Sequence, residues 1–307
     1  MDQVLLDDEV AELLAAMPPL SFTPETVALM RSGQSMFAAP ELSDAVERTD
    51  HVVSEDPHVV VRVHRAKEQT GVLPCVYSIH GGGYIIGSYD MDDAKFDAWC
   101  VNMPCVGVSV EYRLAPETPY PGPLEDCYAG LQWTYEHADE LGVDRDRIGI
   151  TGVSAGGGLA AALALLARDR GEIPIAFQLL ECPMIDDRQV TSSSCLDGLP
   201  IWSRDANTYG WQSYLGDLYG TDDIPYTAAP ARATDLTGLP PGVIVVGGAD
   251  GFRDEDIEYG LRLNQAGVPT AIHVFPGAPH GVQMFPNCGI AVQWKQLVDT
   301  WLASQLA

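Results

Sequence analysis

Apolar residues in this chain recur with two periods, and the points where one gives way to the other mark out its elements. Runs rich in β-branched and aromatic residues predict strands at Val59 to His64, Cys75 to Ile79, Cys105 to Glu111, Arg147 to Thr151, Ile175 to Leu180, Val243 to Val246 and Ala271 to Phe275. Helical spacing or helix-forming composition predicts helices over Leu124 to Ala138, Leu159 to Leu166 and Ala291 to Leu306. Asp254, Glu255, Asp256 and Glu258 read as the charged face of a further helix after the Val243 strand. Strand and helix alternate once the first strands are past. The expected fold class is therefore α/β, with a mostly parallel, doubly wound central sheet flanked by helices.

Two segments stand outside this alternation. In residues 1–45, Val10, Leu13, Leu14 and Met17 lie at helical spacing, Pro18-Pro19 breaks the run, and Pro24 to Met36 resumes it. This predicts a helical arm ahead of the main domain. From Asp186 to Pro230 the chain is polar and aromatic, with Trp202, Tyr209, Trp211, Tyr214 and Tyr219 but no good strand. Strandless insertions of this length in a compact domain usually serve as lids or binding segments. The expected division is an arm over 1–45, a main domain over 46–185 and 231–307, and a cap insertion over 186–230. Arm and insertion together are expected to form the cap.

Composition narrows the function classes. At 307 residues and 46% hydrophobic, with mean hydropathy near zero, the chain has enough material for one well-filled α/β domain. A net charge of −26, with only three lysines (Lys67, Lys95, Lys295), repels phosphate backbones and anionic lipid, so neither nucleic acid nor membrane is an expected partner. No signal peptide is read at the N-terminus, and the apolar stretch from Leu159 to Ala167 is too short to span a bilayer. Seven cysteines without C-x-x-C spacing fit reduced thiols in a cytoplasmic protein, with Cys75 and Cys182 as core filler. No cluster along the sequence has metal-ligand spacing, and no metal or organic cofactor is expected.

Two glycine-rich stretches carry the chemistry. Gly152-Val153-Ser154-Ala155-Gly156 fits G-x-S-x-G, the turn that presents a nucleophilic serine between a strand and a helix. Chance alone gives this pattern in roughly one such chain in seven. His80-Gly81-Gly82-Gly83-Tyr84 fits the HGGG loop that supplies backbone N–H donors to an oxyanion, and chance gives it in well under roughly one chain in a hundred. A serine hydroxyl is a weak nucleophile, and the charge its attack creates must meet preorganised donors. Each motif therefore needs the other. Both follow strand patterns, and a helix former follows Ser154.

A serine also needs a base, and the base an orienting acid. Only His273 and His280 lie downstream of Ser154. His273 sits inside a strand pattern. His280 lies in the turn beyond that strand, where catalytic groups gather in open α/β sheets, and is the preferred base. Asp250 is the first carboxylate past the Val243 strand and is the preferred acid. Asp254, one helical turn later, is close enough to substitute in part.

With these residues in place, the chain resembles the hormone-sensitive-lipase-type (bacterial family IV) esterases of the α/β-hydrolase fold over nearly its whole length beyond the arm. The HGGGY loop, Tyr112-Arg113-Leu114-Ala115-Pro116-Glu117, the Ser154 elbow, Asp186-Asp187-Arg188, the Trp202 and Trp211 region and His280-Gly281 all match. Two positions depart from the pattern. Val153 stands where Asp or Thr is usual, and Gly251 stands where Pro is usual, which should loosen the acid loop. The resemblance implies a Ser154–His280–Asp250 triad and oxyanion donors at the N–H groups of Gly82, Gly83 and Ala155. It makes His80 a loop organiser and Glu111, Tyr112 and Arg113 a structural network. Tyr84, Trp202 and Trp211 become candidates for lining the substrate pocket. The implied activity is hydrolysis of short- to medium-chain acyl esters by a cofactor-free monomer or homodimer acting on small molecules. An amide or carbamate hydrolase on the same triad is the nearest rival. A non-catalytic small-molecule receptor, as in the plant gibberellin receptors, is a further one, but those lack the catalytic histidine that His280 supplies here.

Overall fold

A computed structural model describes residues 4–17, 20–32 and 41–307. The arm holds α1 (Asp8–Ala15), started by the Asp7 carboxylate accepting from the N–H groups of Glu9 and Val10, and α2 (Pro24–Arg31), started by a Thr23–Thr26 capping box. The helix expected over Pro24 to Met36 is thus seen as far as Arg31. Its last residues, like Pro18-Pro19, lie outside the described residues. In α1 only Val10 is fully buried, whereas Leu13 is 39% exposed. Of the apolar residues at helical spacing, Leu14 and Met17 share Val10's contact surface and Leu13 turns away.

The main body begins with β1 (Val46–Glu55), β2 (His58–Ala66) and β3 (Leu73–Ile79), then α3 (Asp93–Asn102), β4 (Val106–Glu111), α4 (Gly122–Glu136) and α5 (Ala138–Leu141). It continues through β5 (Val143–Val153), α6 (Ala155–Arg170), β6 (Gln178–Glu181), α7 (Arg204–Leu215), β7 (Gly242–Ala249), α8 (Arg253–Gln265), β8 (Thr270–Pro279) and α9 (Gly289–Leu306). The eight strands form one sheet in the order β1-β2-β4-β3-β5-β6-β7-β8. β1 and β4 both run antiparallel to β2, and every pair from β4–β3 to β7–β8 is parallel. This is the α/β-hydrolase fold.

Alternation along the strands divides the core into two layers. Cys75 and Tyr77 face a layer shared with α4, α6 and α8, while Val76 between them faces α3 and α9. The same switch occurs in β7 between Ile244 and its neighbours Val243 and Val245. Helix α6 approaches the sheet at glycines: a Cβ on Gly156 would stand 2.1 Å from the Ile79 carbonyl, and one on Gly158 2.1 Å from that of Met184.

Three further differences from the sequence expectations have physical causes. Strand β1 is edge backbone, too charged to show an apolar alternation, and α3 buries Asp93 beside only three apolar side chains, Phe96, Trp99 and Cys100. The strand expected over Ile175 to Leu180 lies instead at Gln178–Glu181, although Ala176 still donates to the Ile148 carbonyl beside it. Glu255 and Asp256 are not on a solvated helix face. They are buried to 2% and 0% exposure, on the side of α8 that enters the body. Glu255 accepts from the N–H groups of Ile185 and Asp186, whereas neither oxygen of Asp256 has a partner among the described residues. Burial pushes both carboxyls well above the usual range, helped for Glu255 by the charge of Asp186 and for Asp256 by that of Glu255.

Candidate active site

Ser154 stands between β5 and α6 with φ +59° and ψ −123°, a conformation that non-glycine residues rarely hold. The elbow's glycines make room for it. A Cβ on Gly152 would lie 2.1 Å from the Gly156 carbonyl oxygen, so no larger residue fits without shifting the turn. Ser154 N–H donates to Glu181 O at 2.8 Å, and Met184 N–H donates to Ser154 O at 2.9 Å, which ties the elbow to the segment after β6.

His280 follows the last residue of β8, and Asp250 the last residue of β7. His280 Nε2 lies 2.8 Å from Ser154 Oγ, and Nδ1 lies 2.8 Å from Asp250 Oδ2. An ionised carboxylate only accepts, so Nδ1 carries the proton and Nε2 offers its lone pair to the serine hydroxyl. The other Asp250 oxygen accepts from Phe252 N–H at 2.9 Å, and the Phe252 ring meets His280 edge-on at 4.9 Å. All three polar residues are less than a tenth exposed. Asp254 does not reach the histidine: one oxygen accepts from Ser193 N–H at 2.8 Å and the other from Arg253 Nε at 2.7 Å. His273 stays within β8, paired with Val245.

The HGGGY loop lies against this elbow. A Cβ on Gly81 would stand 2.8 Å from Val153 O and 3.4 Å from Ser154 Cβ. Gly82 (φ +118°) and Gly83 (φ +61°) turn the chain so that Ile85 and Ile86 N–H both donate to Gly82 O at 3.0 Å. None of the N–H groups of Gly82, Gly83 and Ala155 donates to an acceptor among the described residues. Ala155 is the first residue of α6, where the helix dipole favours negative charge. His80 donates from Nδ1 to Gly81 O at 2.8 Å, stacks on Tyr112 at 4.2 Å, and is kept neutral by its burial. Tyr112 in turn donates to His80 O at 3.0 Å. Nearby, the Asp126 carboxylate accepts from Arg113, and the Glu111 carboxylate from Tyr89 N–H.

Of the residues expected to line a pocket, the structure brings Trp202 to the site. Its ring edge stands 2.0 Å from where a Gly83 Cβ would be, and its centroid is 6.3 Å from that of His280. Phe22 of the arm meets Trp202 edge-on at 4.7 Å. Ile201, β-branched yet at φ +65°, packs beside Gly281. For Tyr84 and Trp211 the expectation of a pocket wall is corrected. Tyr84, at φ +66°, turns inward, stacks on Tyr214 at 4.0 Å and donates to Met184 O at 2.9 Å, while Trp211 packs 5.4 Å from it with no exposed surface. Ile201 and Phe22 escaped sequence reasoning, because nothing local marks them. The Cys182 thiol comes within 4.8 Å of ligand atoms on Asp250 and His280. Burial, aided by the charge of Asp250, pushes that thiol far up. A neutral thiol beside a committed Asp–His pair is a poor metal donor set.

A family profile described as the alpha/beta hydrolase fold matches residues 76–284. Esterase LipI of Mycobacterium tuberculosis is 40% identical over 209 residues, 68% of this chain and 65% of that protein. Carboxylesterase NlhH of the same organism is 36% identical over 285 residues, covering 91% of this chain and 89% of that protein. The solved structure of a bacterial heroin esterase superposes with a TM-score of 0.91 at 38% identity, over 99% of this chain and 98% of that one. The chain belongs to the α/β-hydrolase family, in its hormone-sensitive-lipase-type branch, and is a hydrolase. No helix among its described residues is long and apolar enough to cross a membrane.

Proposed function

We propose that this chain is a serine carboxylesterase acting on short- to medium-chain acyl esters. The observation that carries the reading is the unbroken hydrogen-bond line from Asp250 through His280 to Ser154 Oγ, both contacts at 2.8 Å, beside backbone N–H groups without a partner among the described residues. His280 takes the Ser154 proton as Oγ attacks the ester carbonyl. The tetrahedral oxyanion is held by the N–H groups of Gly82, Gly83 and Ala155. His280 then passes its proton to the departing alcohol, and water hydrolyses the acyl-enzyme by the same steps. Asp250 holds the imidazole tautomer and stabilises the imidazolium. No step calls for a metal or organic cofactor.

Trp202, braced by Phe22 and set against Gly83, supports a bounded pocket above the oxyanion loop. Residues 46–185 and 231–307 form the catalytic body in this reading, with 186–230 and the arm as its cap. Seven free thiols, six of them buried, are compatible with a cytoplasmic monomer or homodimer. The test is pre-steady-state release of p-nitrophenol from p-nitrophenyl acetate. A burst stoichiometric with enzyme, abolished by a serine-directed phosphonate, is expected. Ser154→Ala should lower turnover by a factor on the order of 10⁶. Near-wild-type turnover in that variant overturns the reading.

A further inference from the structure

Arg31, the last residue of α2, ties the arm to the body through its guanidinium. Its Nε donates to the Ile85 carbonyl at 2.7 Å, and one terminal nitrogen donates to the Ala115 carbonyl at 2.5 Å. The other terminal nitrogen donates to both oxygens of Glu117, at 2.8 and 2.9 Å. The two carbonyls belong to segments that frame the HGGGY loop. Ile85 N–H donates to Gly82 O at 3.0 Å, and Ala115 N–H donates to Tyr84 O at 2.9 Å. A closed circuit therefore runs from Gly82 through Ile85, Arg31 and Ala115 to Tyr84, with Gly83 inside it.

The weights of these contacts differ. Glu117 is two-thirds exposed, so its ion pair with Arg31 contributes little in water. The contacts to the two carbonyls are part-buried and directional, and only a planar fork reaches both at once. Displacing α2 would strip both carbonyls of their donor and free the peptide planes between Gly82 and Ile85 to rotate.

We propose that Arg31 is a positioning residue: through it the arm holds the oxyanion loop in register, so that seating the cap and aligning the Gly82 and Gly83 donors are one event. This rests on reading that loop as the oxyanion hole. An error of about 1 Å in such a donor costs on the order of 10² in rate, so the effect belongs in kcat more than in KM.

The experiment uses the full chain with Arg31→Ala, Arg31→Lys and Glu117→Gln. It compares kcat and KM on p-nitrophenyl acetate, inhibition by an aryl trifluoromethyl ketone (whose adduct places an oxyanion in the hole), and rescue by millimolar ethylguanidinium. Arg31→Ala should lose about 10- to 100-fold in kcat with KM changed less than about threefold, and the ketone should weaken by the same factor. Ethylguanidinium should restore part of kcat to Arg31→Ala and none to wild type. Arg31→Lys keeps a charge beside Glu117 but not the fork, and should lose nearly as much. Glu117→Gln should remain near wild type. A loss confined to KM, wild-type kcat in Arg31→Lys, or no guanidinium rescue overturns the proposal. Should Arg31→Ala fail to fold, Arg31→Lys and its ketone affinity decide alone. A wild-type enzyme neither inhibited by the ketone nor active on the ester would instead overturn the oxyanion-hole reading, and this proposal with it.

Discussion

Removing the charge from Asp250 while keeping its shape is the sharpest test of the site. Asp250→Asn puts an amide where Oδ1 and Oδ2 now accept from Phe252 N–H and His280 Nδ1, at 2.9 and 2.8 Å. If the amide oxygen stays on Phe252 N–H, its NH2 faces Nδ1. The imidazole must then expose a lone pair there and carry its proton on Nε2, which points a donor at Ser154 Oγ. The serine loses its base, and the imidazolium loses its counter-charge in a site less than a tenth exposed. In the best-known triad this change lowers turnover about 10⁴-fold. That corresponds to about 5.4 kcal/mol on the barrier, at about 1.36 kcal/mol per tenfold. Asp254→Asn is the matched control, one helical turn away. It weakens contacts to Ser193 N–H and Arg253 Nε at a site about a third exposed, so turnover should change less than about tenfold and stability by about 1 kcal/mol. The assay is kcat on p-nitrophenyl acetate, with active-site titration to count competent enzyme. A severe loss for Asp254→Asn beside a mild one for Asp250→Asn would refute the argument.

Other consequences are as direct. Gly83→Ala places a methyl 2.0 Å from Trp202 at a φ of +61°, so kcat should fall at least about 10²-fold; pairing it with Trp202→Ala should relieve the clash but not the backbone strain, and full recovery in the double variant would contradict that. Burial holds His64 neutral, its pKa lowered to about 3 against ~6.5 in the unfolded chain. The unfolded state therefore takes up that proton first, so stability is lost as pH falls below about 6.5, by about 2 kcal/mol between pH 7 and 5. His64→Gln should shrink the difference in urea-unfolding free energy between those pH values by that amount, and an unchanged difference would remove His64 as its source. Deleting residues 1–40 removes Phe22 and Arg31 together, and should alter acyl-chain preference and lower the melting temperature; unchanged values of both would end the cap assignment for the arm.

Much of the fold and of the site is legible in the sequence because it depends on local patterns. Apolar strands buried on both faces, such as β7, announce themselves as runs of Val and Ile. Two glycine motifs are obliged by backbone crowding, which leaves a mark in composition that no polar network leaves. What escaped is set by distant neighbours. Leu13 and Leu14 look alike on paper, and only the surface available to α1 decides which is covered. Tyr84 and Trp202 both looked like pocket walls, yet the backbone turn at Tyr84 sends its ring under the loop while Trp202 lies over it. Glu255 and Asp256 defeat pattern reading outright, since a run of three acidic residues at a helix start normally means solvent.

Glu255 belongs to a larger arrangement at the start of α8. Asp250 opens the loop, Asp254 holds Ser193 N–H at the entrance to the cap, and Glu255 holds the N–H groups of Ile185 and Asp186 where the insertion leaves the body. Ser193 Oγ closes the join by donating to the Gly251 carbonyl at 2.9 Å. The Asp250 loop, which in the proposed reading aims the triad's acid, and the segment proposed to begin the cap are therefore one hydrogen-bonded unit. Gly251 sits at its centre, where a Cβ would come only 3.0 Å from Leu199 of the cap. Glycine makes the loop intrinsically looser than proline would, and the bonds from Ser193 supply from the cap the restraint that the loop's own chain lacks. Arg31 ties the arm to the HGGGY loop, the proposed oxyanion loop, on the other side of Ser154. In the proposed reading, both halves of the cap are tied to catalytic loops as well as to the outer body, so a change in either half should reach the chemistry through backbone alignment as well as the substrate through contact.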